Sequence, residues 1–134
     1  MSLITDLLAN PANQSPASRF NVVGGWLYMG VGFLLLAWPE ATQVLFRDPA
    51  FAGHEAALVR IVGMAVMVIG WLTLFGGRSG TRTAVAASVF DRLLLVPLVL
   101  VPLALSGVFP HLLLTIAVLD PTLAIISWVL LRRA

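Results

Sequence analysis

The chain contains no cysteine. Disulfides, thiolate metal sites and cysteine nucleophiles are therefore excluded. It also contains no lysine, so all eight basic residues are arginine. Charge of either sign is scarce, at 10% of residues, and tyrosine occurs once, at Tyr28. Catalytic signatures are missing too. No phosphate loop, dinucleotide fingerprint or serine–histidine–aspartate arrangement is present. The net charge of +2 is spread between apolar segments and forms no basic stripe. Nucleic acid is accordingly not an expected partner.

What is present is apolar. Hydrophobic residues make up 60% of the 134-residue chain, against about 45–50% in ordinary soluble domains. Four long runs hold most of them, at residues 20–38, 56–75, 83–105 and 111–131. Each approaches the roughly 20 residues that cross a hydrocarbon core as a helix. Backbone groups must pair internally in lipid, and no barrel-like alternation is present. The sequence thus predicts an all-α, polytopic membrane protein, a four-transmembrane-helix bundle forming a single domain over residues 1–134.

The first ten residues lack the basic start of a signal peptide and carry Asp6. Leu3, Ile4, Leu7 and Leu8 share one helical face, which predicts a short interfacial helix capped by Ser2 and ending near Pro11. Residues 10–18, rich in Pro, Asn and Ser, read as a linker, and residues 1–18 together as a cytoplasmic interfacial segment. The long connection from Pro39 to Glu55 carries Val44, Leu45, Phe46 and Phe51 and is expected to lie along the membrane surface.

Arginine placement sets orientation. Arg19, Arg78, Arg82, Arg132 and Arg133 fall on one side of a four-span arrangement, with Arg47 in a loop on the other. The positive-inside rule puts both termini in the cytoplasm. Trp26, Trp71 and Trp128 lie towards the same ends and Trp38 towards the opposite one, as aromatic belts prefer.

Gly25 and Gly32 are seven residues apart in span one, as are Gly63 and Gly70 in span two. A seven-residue period keeps small residues on one face and permits close crossing. Spans one and two are expected to form a tight antiparallel pair. Pro97 and Pro102 in span three, and Pro121 in span four, each remove a backbone donor and favour kinks.

The candidate site is a set of charges placed deep in apolar helices: Arg60, Asp91, Arg92 and Asp120. Each costs about 2.5–3.5 kcal/mol at a helix centre, so all four are expected to face the bundle interior or a wet cavity. Their charges cancel. A salt-bridge network centred on Asp120 would fix helix register, whereas an open polar pocket would hold a head group, carboxylate, quinone or proton. Asp91 and Arg92 point about 100° apart and cannot both aim at one partner. Ser88, one turn earlier, could satisfy either. The Tyr28 hydroxyl needs a partner, in this network or at a backbone carbonyl. His54, Glu55 and His111 are read as polar helix-start residues, so no metal and no cofactor is expected.

The length, the four short spans and the segment Arg60–Ile61–Val62–Gly63 opening a glycine-containing second span resemble the DoxX-like group of small bacterial membrane proteins. That resemblance implies a four-helix fold and, through some members, association with quinone-linked redox complexes. It assigns no catalytic residue.

These features favour a non-catalytic bundle that binds a lipid-like ligand, or a subunit of a larger membrane complex. Expected partners are the bilayer, membrane proteins or further copies of the chain, and a lipid or quinone. Two alternatives stand beside it. One is a membrane enzyme using Asp91 or Asp120 as acid–base, with Arg60 or Arg92 orienting an anionic group. The other is a small transporter.

Overall fold

The computed structural model describes residues 3–8 and 14–133. Four helices long and apolar enough to cross a membrane account for most of them: Pro16–Ala37, Glu55–Arg78, Arg82–Leu105 and Pro110–Arg133. Among the described residues there is no strand. The chain is an all-α, multi-pass membrane protein folded as a four-helix bundle. Helix α1 (Leu3–Leu7) precedes the bundle and has no buried residue. The cap expected from Ser2 and the stretch from Asn10 to Asn13 lie outside the described residues.

Helix α2 (Pro16–Ala37) begins earlier than the apolar run indicates, and this corrects the reading of residues 16–18 as linker. The cause is local chemistry. Ser15 caps the helix by accepting from the Ser18 backbone N–H at 3.2 Å, and Pro16 occupies the first turn, where its missing N–H costs nothing. The short helix α3 (Ala41–Val44) comes next in the long connection, with Val44 and Leu45 exposed. Helix α4 (Glu55–Arg78) then returns alongside α2.

The α2–α4 contact is by far the most extensive in the bundle, and glycine makes it. A Cβ placed on Gly32 would lie 2.6 Å from the Gly63 carbonyl oxygen, and one on Gly63 would lie 2.7 Å from the Gly32 carbonyl oxygen. One turn pair further along, a Cβ on Gly70 would lie 2.8 Å from the Gly25 carbonyl oxygen. The antiparallel pair expected from the glycine spacing is therefore present. Its register extends one step further, since a Cβ on Gly77 would lie 2.7 Å from the Ser18 carbonyl oxygen.

The third crossing is not one regular helix. Helix α5 (Arg82–Phe90) passes through a π-helical turn, Asp91–Leu95, into α6 (Val96–Leu105). The Val96 N–H donates to the Asp91 carbonyl five residues back. Pro97 lies in the first turn of α6. Its ring crowds the carbonyl four residues earlier, which belongs to Leu93 inside the widened turn. The proline effect thus takes the form of a π turn ahead of Pro97, while Pro102 and Pro121 lie within continuous helices. Helix α7 (Pro110–Arg133) completes the bundle and packs on α2, α5 and α6.

Both ends are tied across the chain. At the arginine-rich end Gln14 donates to the Arg78 carbonyl and Arg82 to the Leu131 carbonyl. Ala17, Val85 and Leu131 pack together there. At the other end the long connection is strapped to α7. The Asp48 carboxylate, buried at 5% exposure, accepts from the backbone N–H groups of His111 at 2.9 Å and Leu112 at 3.1 Å. Its Oδ1 also lies 3.2 Å from His111 Nδ1, and Phe51 packs edge-on against Phe109. A carboxylate at a helix N-terminus satisfies orphan donors and favours the helix dipole. Asp48→Ala is expected to lower bundle stability by about 1–2 kcal/mol, measured by denaturant unfolding in mixed micelles. Asp48→Asn keeps one acceptor oxygen and should lose less. An unchanged midpoint for Asp48→Ala would remove the strap from the account of stability.

Candidate functional site

Two polar layers cross the bundle between α2, α7 and the third crossing. The first lies nearer the arginine-rich end. Asn21 Nδ2 donates to the Ser88 hydroxyl at 3.0 Å, and the Ser127 hydroxyl donates to Asn21 Oδ1 at 3.1 Å. Ser88 in turn donates to the Val85 carbonyl at 2.8 Å. Asn21 and Ser127 are almost wholly buried. Each side chain in this layer has a partner, so it acts as a hydrogen-bonded clasp on three elements. Ser88 therefore serves Asn21, not Asp91 or Arg92 as expected from spacing.

The second layer lies two helical turns deeper, at Tyr28 and Asp120. The Tyr28 hydroxyl donates to Asp120 Oδ1, joining α2 to α7. Both residues are buried, at 6% and 7% exposure. Of the two partners open to Tyr28 from sequence, the structure selects the carboxylate. The Arg92 guanidinium lies over the Tyr28 ring, 5.6 Å from its centroid, within reach of a cation–π attraction. Arg92 is 2% exposed. Its Nη1 and Nη2 have no hydrogen-bond partner and are the only such buried side-chain atoms among the described residues.

The structure thus brings together Tyr28, Arg92 and Asp120, with Ser88 in the neighbouring layer. It does not bring in Arg60 or Asp91. Both are exposed on the outer surface of the bundle, which corrects the expectation that all four charges face inward. The reasons differ. Arg60 lies in the second turn of α4, where a long side chain can lead its charge out to the interface. Asp91 points about 100° away from Arg92 on the same helix, towards the exposed side. Arg92 continues the buried face of Val85 and Val89 at helical spacing, so it enters the core while Asp91 stays outside. Nor do the four charges form the expected salt-bridge network. Among the described residues the one contact of salt-bridge length is between the His111 ring and Asp48.

Asn21, Ser127 and Asp48 are the polar residues that sequence reasoning missed. Asn21 and Ser127 carried a usable signal. Each lies seven residues from its counterpart in the deeper layer, Tyr28 and Asp120, and so shares its helix face. Asp48 carried none, because its partner is more than sixty positions away. Among the described residues no group of three His, Asp or Glu side chains could hold a metal ion.

The class defined by fold and site is thus a multi-pass helical bundle with an enclosed polar centre. Comparison with protein-family models, curated proteins and solved structures gives no match. The resemblance to the DoxX-like group therefore rests on the chain length, the four spans and residues Arg60–Gly63.

Proposed function

We propose that the protein is a non-catalytic bundle of the bacterial inner membrane, with both termini cytoplasmic. Its polar centre receives the head of a lipid-like molecule, a quinone being the chemistry that fits best. One observation carries the reading. The terminal nitrogens of Arg92 are buried without an acceptor, while the other buried polar side chains around them are paired. An unmade hydrogen bond at a buried charge is costly, and such a group in a native fold calls for an explanation such as a bound molecule. An incoming acceptor oxygen would supply what Arg92 lacks. Tyr28 and Asp120 already satisfy one another and would set the position of the guanidinium.

A quinone suits this centre because it offers neutral acceptor oxygens on a flat apolar ring. A neutral head avoids the desolvation cost that an ionised one would incur. The test is binding of a decyl-tailed benzoquinone to the protein in nanodiscs, monitored by quenching of tryptophan fluorescence. Saturable binding is expected, weakened at least about tenfold in Arg92→Gln, as for loss of a charge-assisted hydrogen bond. Equal binding by the wild type and a folded Arg92→Gln protein would dismiss the reading.

A further inference from the structure

A separate groove opens between the third crossing and the last. It has a volume of about 230 Å³ and is lined by Ala86, Val89, Phe90 and Leu93 on one wall and Trp128 and Leu131 on the other. The lining is almost entirely apolar. The volume is below the roughly 300–1,000 Å³ of drug-sized pockets, so it suits a stretch of chain whose remainder lies in the bilayer.

The end of this groove is marked by cations. Leu131, in its wall, gives its carbonyl to Arg82 Nη2 at 3.0 Å. Trp128, also in its wall, has the Arg132 guanidinium over its ring at 6.0 Å. Arg133 is the next residue, and all three arginines are exposed. Asp91, the next residue after the lining Phe90, lies roughly 13 Å along the helix from Arg82 at 1.5 Å per residue. Its charge is thus held away from the basic rim. Cations and apolar slot are thus adjacent, joined through Leu131 and Trp128.

We propose that this groove is a binding site for an anionic phospholipid. One acyl chain lies between Phe90, Leu93 and Trp128, and the phosphate is held by Arg82, Arg132 and Arg133. Charge complementarity selects the occupant, because arginines presented between transmembrane helices at the interface recognise anionic head groups. The apolar wall excludes a free phosphate as the natural ligand, since that ion would leave the slot empty. The site is independent of the polar centre and shares no residue with it.

The test uses the full chain in vesicles with Trp26, Trp38 and Trp71 changed to Phe, so that Trp128 alone reports. Phosphatidylglycerol or phosphatidylcholine carrying brominated acyl chains serves as quencher. Quenching of Trp128 is expected to show a preference for the anionic lipid of roughly tenfold. Arg82→Gln combined with Arg132→Gln should remove most of that preference. Ala86→Leu, which fills the slot and leaves the rim charged, should reduce quenching by either lipid, with thermal unfolding confirming the fold. Soluble glycerol phosphate should not compete. Equal quenching by the two lipids would overturn the proposal. So would an anionic preference that survives the double arginine change, or one displaced by glycerol phosphate.

Discussion

Changing Gly63 to leucine is expected to leave little folded protein in the membrane. A Cβ at that position would meet the Leu36 backbone nitrogen at 2.6 Å and the Gly32 carbonyl oxygen at 2.7 Å. Both are backbone atoms and cannot swing aside, so the helices must separate. Alanine alone should cost about 1–3 kcal/mol as an overpacked contact, and leucine more. Gly32→Ala should behave alike, because the two glycines face each other. The control lies in α2, the helix of Gly32. Gly24 and Gly30 have nothing within 4 Å of a built Cβ. Alanine there should be tolerated, and helix propensity alone favours it by roughly 0.5–1 kcal/mol. Unfolding midpoints in mixed micelles provide the comparison. If Gly30→Ala and Gly32→Ala have equal effects, close helix contact is not what glycine supplies.

The second large effect concerns the buried charges. Asp120→Leu takes away the acceptor of the Tyr28 hydroxyl and the nearby anion that offsets Arg92. Breaking a buried charge arrangement from one side costs about 3–5 kcal/mol, because the remaining charge stays without compensation. Replacing both ends with apolar groups is often neutral or better. The double variant Asp120→Leu, Arg92→Met should therefore recover most of the loss, although the Tyr28 hydroxyl still lacks a partner. A double-mutant cycle reads the coupling directly. Additive effects of the two changes would show that Arg92 and Asp120 do not act together. The rescued double variant should also fail to bind the quinone, which separates stability from ligand recognition.

The features legible in the sequence were those that depend on spacing along one helix. Glycines seven apart marked the α2–α4 seam, and run length marked four crossings. The Ser18–Gly77 step of the seam is not legible, because it falls at helix ends that lie beyond the apolar runs. The direction of the two charges in the third crossing is legible in part: Val85, Val89 and Arg92 recur at helical spacing and share the buried face, which leaves Asp91 outside. The π turn at Asp91–Leu95 shifts the wheel only for the residues after it. Partners drawn from distant elements were hidden for another reason. That Tyr28 meets Asp120, or that Asp48 caps α7, arises from packing and has no local signature.

The glycine seam makes the two halves of the bundle mechanically unlike. Where backbones touch, there is no side-chain layer to repack, so α2 and α4 should move as one stiff hairpin. The opposite half carries the π turn and the prolines of the last two crossings, so it is the compliant half. Any breathing that admits a molecule to Arg92 would then be a swing of the third and fourth crossings against a fixed frame.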